Sequence, residues 1–357
     1  MHAPHLRFAL LIVLAISPLS RAADPWVVYE GQAGPGQGKQ IVLIAGDEEY
    51  RSEEMLPQLG KILATHHGFR CTVLLPVDPK TGFINPNERQ SIPGIEALDQ
   101  ADLMIIATRM RTLPDESMEV IDRYLKSGKP VIGLRTATHA FQFAPNSTWA
   151  HYNHEYNGER QEWAGGFGRL VLGEKWIAHH GSHKHQATSG VAAPGAEGHP
   201  ILRGIGDGDI WGSTDVYTVR LPLPEGAQPI VLGKVQDRAG EYDAHDLHYG
   251  MRPDDPPAKN TELNNPMMPI VWTKPYQLPE GQPGRAVTST IGSSADILSE
   301  GVRRMVVNSV YWLLGMEQQL PADGAKVDLV GDYKPTKYEF RQNDYWTERK
   351  MSVEELR

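Results

Sequence analysis

Two short segments rich in histidine carry side chains that could bind a metal ion or transfer a proton. The segment HHGSHKH contains His179, His180 and His183, and the segment HYNHE ends in Glu155. Zinc prefers imidazole nitrogens and carboxylate oxygens, and a site of two or three histidines with one carboxylate leaves a position open for water. We therefore predict that His179, His180 and His183 hold a divalent metal such as zinc. Histidine-rich loops without metal are the alternative, because the sequence lacks a specific motif such as HExxH.

A further histidine, His139, lies in the segment KPVIGLRTATHAF. This pattern predicts an apolar strand, a tight turn and a helix, the elbow on which several enzyme classes present a nucleophilic Ser or Cys. Arg135 occupies the place of the nucleophile here. Near a helix N-terminus the dipole disfavours the imidazolium, so we expect a neutral His139 that accepts a proton or binds a metal. A core histidine, flanked by Ala140 and Phe141, is the alternative interpretation.

Three polar segments directly follow predicted apolar strands. They are GDEEYRSEE at 46–54, TRMRTLPDE at 108–116 and RTATHAF at 135–141. Ligands of open parallel sheets bind at the carboxyl ends of the strands, where loops and helix N-termini converge. We therefore expect these three segments to meet in one pocket.

The charged side chains of these segments could divide the work of such a pocket. Carboxylates could act as acid or base beside His139, and guanidinium groups could hold a polyhydroxylated or anionic ligand through paired hydrogen bonds. The predicted catalytic residues are His139, Asp47, Glu48 and Glu49, and the predicted ligand-binding residues here are Arg51, Arg109, Arg111, Arg135 and Thr136. The alternative is that the charges only pair with one another or solvate the rim of the sheet.

The spacing of apolar residues predicts the elements that position these segments. Runs of aliphatic residues indicate buried strands, and apolar residues three or four positions apart indicate helices. Strands are predicted at 39–46, 69–75, 101–109, 129–135, 168–180, 268–274 and 284–292, and helices at 54–66, 114–126 and 300–314. Buried strands that alternate with helices predict an α/β fold, a flavodoxin-like three-layer sandwich with a mostly parallel, doubly wound sheet.

The chain divides into three predicted parts. Arg7, the apolar residues 8–16 and the small residues that end at Ala22 predict a signal peptide over 1–22, so we expect export to the periplasm or the extracellular space. A short anchoring helix is the alternative, although so short an apolar run cannot cross a bilayer. Residues 39–317 form the predicted α/β domain, and residues 318–357 form a tail on its surface.

Composition narrows the class of partner. The net charge of -9 argues against nucleic acid and against an anionic membrane as partners. Cys71 is the single cysteine, so an intramolecular disulfide is excluded and the thiol is expected in the core. The sequence leaves open whether the protein forms a homo-oligomer.

Several motifs together resemble the ThuA-like proteins, a family named for trehalose utilisation. They are VLIAGDEEYRSEE, KPVIGLRTATHAF, GFGRLVLGEKWIAHHG, HPILRGIGDGDIWGSTDVY, GRAVTSTIG and VNSVYWLLG. The resemblance covers about residues 39–317 and implies a class I glutamine amidotransferase-like fold and a role in carbohydrate catabolism.

The sequence also departs from these patterns. Amidotransferases carry Gly-x-Cys-x-Gly at the elbow, whereas this chain has GLRTA at 133–137. Glutaminase activity is excluded, because no thiolate is available there to attack an amide. Many ThuA-like proteins have His at the position of Arg135 and an Asp-Glu-x-Tyr element where this chain has TDVY at 214–217. Asp215 and Tyr217 therefore match that element in part, as ligand-binding residues.

We expect an enzyme that acts on a sugar or keto-sugar glycoside, as a hydrolase or lyase, by general acid/base or metal-assisted chemistry. A small-molecule carbohydrate is the expected partner. A carbohydrate-binding protein without catalysis is the first alternative, since it would keep the arginines and aromatic rings and need no proton donor. A structural partner of other exported enzymes is the second.

Overall fold

A single mixed sheet of ten strands organises the computed structural model, which describes residues 24–357. The strands are β1 (Val27–Tyr29), β2 (Gln40–Gly46), β3 (Arg70–Leu74), β4 (Leu103–Thr108), β5 (Val131–Leu134), β6 (Gln186–Ala192), β7 (Trp211–Gly212), β8 (Gln228–Asp237), β9 (Met268–Tyr276) and β10 (Gly284–Ser289). Their order across the sheet is β1-β3-β2-β4-β5-β10-β9-β8-β6-β7. The predicted signal peptide lies outside the described residues.

The α-helices of the described residues are α1 (Ser52–His67), α2 (Asp115–Lys126), α3 (Glu300–Leu313) and α4 (Asn343–Arg349). The first three confirm the predicted helices to within two residues at each end. Ser299 caps α3, since its hydroxyl accepts a hydrogen bond from the backbone N–H of Val302. The predicted strands at 39–46, 69–75, 101–109, 129–135, 268–274 and 284–292 are confirmed as β2, β3, β4, β5, β9 and β10.

The α/β fold is as predicted, but the sheet is not mostly parallel. Within residues 24–357, β3, β2, β4, β5 and β10 pair in parallel, and all other neighbouring pairs are antiparallel. The antiparallel half contains β6, β7 and β8, which the apolar pattern does not reveal. β6 reads QATSGVA, with small and polar residues, and β8 carries Pro229 and Gly233, both weak strand formers.

The parallel half of the sheet is covered on both faces. In β2, Ile41 and Leu43 pack in one apolar cluster with residues of α1 and α3. Val42 and Ile44 point to the other face, in a second cluster with residues of α2. This burial explains why these strands read as continuous apolar runs.

The predicted strand at 168–180 is wrong. Gly168–Leu172 instead form one turn of π-helix that packs on a face of the sheet. The carbonyl oxygen of Leu172 accepts hydrogen bonds from Trp272 Nε1 (2.7 Å) and Thr288 Oγ1 (2.8 Å), so the segment is held by side chains of β9 and β10. Gly168 lies so close to the backbone of Thr138 that an added Cβ would be 2.3 Å from its carbonyl oxygen.

The tail, residues 318–357, runs along the surface but is anchored in the core. Tyr338, Trp346 and Met351 are buried. The Glu54 carboxylate at the start of α1 accepts hydrogen bonds from the backbone N–H and the hydroxyl of Thr336, both at 2.7 Å. Ser352 and Glu355 form a capping box that begins a short 3-10 helix.

Within residues 24–357, none of the helices combines the length and the apolar character needed to cross a membrane.

Replacement of Trp346 by Ala should lower the free energy of unfolding by about 3–5 kcal/mol, because a large buried ring is lost from the tail anchor. The exposed neighbour Glu348 offers a control, and Glu348→Ala should change stability by less than about 0.5 kcal/mol. Urea denaturation followed by circular dichroism measures both. Equal midpoints for the two variants would show that the tail does not contribute to the stability of the domain.

Candidate functional site

The three polar segments predicted from the sequence meet at one edge of the sheet. β2, β4 and β5 are neighbouring parallel strands, so the residues that follow them leave from the same edge. Thr136 Oγ1 donates a hydrogen bond to Asp47 Oδ2 (2.6 Å), and Arg109 contacts Glu48 Oε1 at 2.5 Å. The carboxyl ends of the central strands are thus joined by hydrogen bonds between side chains.

The backbone at this edge is strained in three places. Arg51 before α1, Met110 after β4 and Arg135 after β5 have φ angles of 61°, 49° and 45°, in the left-handed region that non-glycine residues rarely occupy. Such conformations persist only where the surrounding structure compensates for their strain, and they cluster at functional sites. The elbow at Arg135 is therefore present, but the expected helix after it is a single 3-10 turn, Arg135–His139.

Arg135 lies inside the protein and not on a ligand surface. Its NH1 donates to the carbonyl oxygens of Asp215 (2.7 Å) and Thr290 (2.5 Å), and its NH2 donates to Tyr50 Oη and Asp215 Oδ1, both at 3.1 Å. The guanidinium also stacks on the ring of Tyr217, 3.8 Å from its centre. Arg135, which the sequence predicts as a substrate-binding residue, therefore binds protein groups instead.

The Asp215 carboxylate is the meeting point of the site. Besides Arg135, it contacts His179 Nδ1 through Oδ2 (2.7 Å) and His183 Nδ1 through Oδ1 (3.0 Å). Burial alone would raise the pKa of Asp215, but the Arg135 charge and the hydrogen bonds from the two imidazoles outweigh it and hold the pKa well below its ordinary value. Asp215 is therefore ionised, and both histidine nitrogens that face it must donate.

His183 lies between two carboxylates. Its Nδ1 faces Asp215, and its Nε2 lies 3.2 Å from Glu49 Oε1. Burial lowers the pKa of His183, but hydrogen bonds to Asp215 and Glu49 reverse this and raise the pKa above its ordinary value. Both ring nitrogens have acceptors, so the imidazolium is the form that this environment favours.

His179 has one nitrogen committed and one available. Its Nδ1 donates to Asp215, and its side chain is 40% exposed. Among residues 24–357, no protein atom forms a hydrogen bond with its Nε2. A neutral imidazole with Nδ1–H fixed by a carboxylate presents the lone pair of Nε2 as a base or a metal ligand.

His139 is buried beside this group. Its ring centre lies 5.6 Å from that of Trp176, 5.8 Å from that of His154 and 6.5 Å from that of Tyr217. Burial first, and then the positive charge of Arg109, hold the pKa of His139 well below its ordinary value. The predicted neutral ring is thus supported, but its cause is burial and not a helix dipole, because a single 3-10 turn has little dipole.

Asp47 and Glu48 hold the edge together. Asp47 Oδ1 accepts the backbone N–H groups of Glu49 (2.6 Å) and Tyr50 (2.9 Å), so its carboxylate shapes the loop that presents Glu49. Glu48 contacts Arg109 and Arg111 at 2.5 and 2.6 Å. Of the three carboxylates predicted to be catalytic, Glu49 alone contacts the histidine cluster.

The four arginines predicted to bind ligand differ in their exposure to solvent. Arg51, Arg111 and Arg135 are buried, whereas the Arg109 side chain is 19% exposed. Arg111 donates to backbone carbonyl oxygens of the loop that follows β3, and Arg51 lies beside Glu53 beneath the ring of Trp346. Arg109 is therefore the member of the predicted set that can reach a ligand.

The three predicted metal ligands are only partly brought together. Ligand atoms of His179, His183 and Asp215 lie within 4.8 Å of one another, which suits a two-histidine, one-carboxylate site. His180 is directed elsewhere, because its Nε2 contacts the carbonyl oxygen of Leu263 at 2.8 Å. Asp215, predicted as a ligand-binding residue, takes the place of His180 in this set.

Two tyrosines complete the site without having been predicted. Tyr50 stacks on Tyr338 with ring centres 5.3 Å apart, and both rings lie near His183. Tyr50 belongs to the polar segment 46–54 that follows β2, so its place at the site could have been predicted from the sequence. Tyr338 comes from the tail, where no periodic pattern indicates a role.

Neither a protein-family model nor a curated protein matches this chain. Solved structures that resemble it include a thua-like protein from Bacteroides uniformis ATCC 8492, with 12% identity, a TM-score of 0.43, and coverage of 80% of this chain and 95% of the other. A thua-like protein from Parabacteroides merdae ATCC 43184 has 12% identity, a TM-score of 0.40, and coverage of 85% and 97%. The mmIFT52 N-terminal domain has 13% identity, a TM-score of 0.34, and coverage of 77% and 97%.

The first two of these solved chains are described as ThuA-like proteins. The roles of the site residues follow from their geometry in this chain.

The raised pKa of His183 predicts a pH-dependent contribution to stability. This contribution is fully present below the ordinary histidine pKa near 6.5 and is lost as the pH rises through the higher pKa of the folded state. The stability difference between the wild type and His183→Gln should therefore shrink with rising pH. His185→Gln, at an exposed position, serves as the control. A difference that stays constant between about pH 6 and pH 9 would contradict an imidazolium held by two carboxylates.

Proposed function

We propose that this chain is an enzyme of carbohydrate metabolism that moves a proton on a sugar or keto-sugar glycoside, as a hydrolase or lyase. The observation that carries the proposal is the buried, ionised Asp215 carboxylate shared by two imidazoles, of which His179 is the more exposed. A carboxylate that orients an imidazole is the arrangement that general base catalysis requires.

His179 is the proton-transferring group in this proposal. Asp215 fixes Nδ1–H, so the lone pair of Nε2 is available to take a proton from substrate or water. His183, whose pKa is raised by hydrogen bonds to Asp215 and Glu49, supports the position of the Asp215 carboxylate. His139, predicted to transfer the proton, is retained as a neutral neighbour, because its ring is buried whereas the His179 side chain is 40% exposed.

A carbohydrate fits the groups that surround His179. The ring centre of the partly exposed Trp176 lies 5.9 Å from that of His179, and an aromatic face suits the apolar face of a sugar ring. Arg109 supplies a partly exposed guanidinium for substrate oxygens. The ThuA-like motifs of the sequence support the same substrate class.

Glutaminase activity is not part of the proposal. Arg135 stands at the elbow, and the thiol of Cys71 lies buried in β3 with its pKa raised by burial. Export also belongs to the proposal, supported by the signal-peptide pattern of residues 1–22.

A metal-assisted version is the second candidate. The ligand atoms of His179, His183 and Asp215 are close enough to surround one ion, and their types suit zinc. Such an ion would supply a bound water of lowered pKa. His183 would then have to bind in its neutral form, in competition with the two carboxylates that favour its imidazolium.

His179→Ala should reduce kcat by about 10²–10⁴-fold, the range of a lost general base. The assay is turnover of a panel of glycosides and keto-glycosides by the purified protein, with binding followed by calorimetry. His185→Ala, an exposed histidine six residues on, is the matched control and should retain activity. Normal turnover by His179→Ala would refute the role of His179. Binding of a sugar by the wild type without any turnover would favour the non-catalytic carbohydrate-binding alternative.

Elemental analysis separates the two chemical versions. The acid/base version predicts protein without bound divalent metal and full activity after dialysis against a chelator. The metal-assisted version predicts about one zinc per chain and a loss of activity that added zinc restores. His180→Ala should leave metal content unchanged in either version, because His180 is bound to the Leu263 carbonyl.

A further inference from the structure

A basic cavity of about 360 Å³ lies at the same edge of the sheet as the proposed catalytic group, because Glu48 after β2 and Arg109 after β4 line it. Its walls come from the loop after β3, from the end of β4 and from the tail at 340–343, which are far apart in the sequence. Its volume is at the lower end of the range of ligand sites, so it suits one small group of a ligand.

Three guanidinium groups and one carboxylate give this cavity its charge. The cations are Arg89, Arg109 and Arg341, and the anion is Glu48. Glu48 is in addition neutralised from behind by the buried Arg111, 2.6 Å away. The cavity therefore carries an excess of positive charge that is not matched by its own walls.

The arginines of the cavity keep hydrogen-bonding capacity for a ligand. Arg89 is about half exposed and touches Glu48 only at 3.5 Å. Arg341 stacks on Tyr345 and pairs with Glu339 at 3.3 Å, and its side chain is 17% exposed. Guanidinium groups bind carboxylate and phosphate oxygens in paired, charge-assisted bonds, so this set suits an oxyanion.

The position of the cavity is fixed by contacts between the tail and the domain. Asn87 Nδ2 donates to the carbonyl oxygen of Arg341 and to Asn343 Oδ1, both at 2.9 Å. The exposed ring of Phe340 lies under the guanidinium of Arg109, 5.0 Å from its centre. The tail thus places its arginine opposite Arg89 and Arg109.

Arg109 links the cavity to His139, the buried neighbour of the catalytic group. It lines the cavity, and its charge contributes to the lowered pKa of His139. A backbone hydrogen bond joins the two segments, since the N–H of Met110 donates to the carbonyl oxygen of His139 at 2.8 Å. A ligand that reaches from His179 to the cavity would thus place its charged end on the arginines.

We propose that this cavity is an oxyanion subsite and that the substrate is an acidic sugar, with a carboxylate or a phosphate group bound by Arg89, Arg109 and Arg341. The inference rests on the proposed function for the sugar part of the ligand. The oxyanion part rests on the cavity alone.

Isothermal titration calorimetry at low salt tests the subsite without any need for turnover. The probes are inorganic phosphate, glucose 6-phosphate and glucuronate, with glucose as the neutral comparison. Arg89→Gln and Arg341→Gln should each weaken binding of the acidic sugars by about 10-fold or more, as expected for loss of a charge-assisted hydrogen bond. Arg123→Gln removes an exposed arginine of α2 that pairs with Asp99 and does not line the cavity. This variant should bind the acidic sugars as the wild type does.

The outcomes are distinguishable. Preference for glucuronate over glucose 6-phosphate identifies the carboxylate form of the ligand, and the reverse preference identifies the phosphate form; both support the subsite. Failure of all three anions to bind, equal binding of glucose, or unchanged binding by both variants with wild-type melting temperatures would overturn it. Loss of turnover in His179→Ala with intact anion binding would leave the subsite standing, so the two proposals fail independently.

Discussion

The ion pair between Arg135 and Asp215 is the interaction on which the site depends. Both side chains are buried, so each charge is stable only because the other is beside it. Removal of one partner from a buried pair costs about 3–5 kcal/mol, because the other is left uncompensated. The guanidinium also bonds the carbonyl oxygen of Thr290, after β10, and thereby ties the parallel half of the sheet to the segment that carries Asp215. The carboxylate is then free to organise two histidines on its outer side.

This arrangement changes the meaning of the elbow. In enzymes with a nucleophile at such a turn, the strained residue faces the substrate. Here the strained residue, Arg135, faces inward and serves as the counter-ion of Asp215. In the proposed function the proton-transferring group is His179, on a different segment, and the sheet edge supplies the rigid support.

Sequence reasoning reached the parallel half of the sheet and the edge where the site lies, because continuous apolar runs such as β2 and β4 have few alternative structures. It could not assign Arg135, whose main partner lies 80 residues away and is matched to it only by folding. It also missed β6, since QATSGVA lacks the apolar pattern of a buried strand. The roles of the tail residues Tyr338 and Arg341 could not be predicted, because the tail packs through isolated buried residues that follow no periodic apolar pattern.

The tautomer of His179 tests the central claim most directly. Nitrogen-15 NMR of histidine-labelled protein distinguishes a ring with the proton on Nδ1 from one with the proton on Nε2. If Asp215 is an ionised carboxylate that orients the ring, neutral His179 carries its proton on Nδ1, and Asp215→Asn abolishes this preference. A neutral His179 with its proton on Nε2 in the wild type would contradict the claim, because Nδ1 could then not donate to Asp215 and the lone pair would not face the ligand.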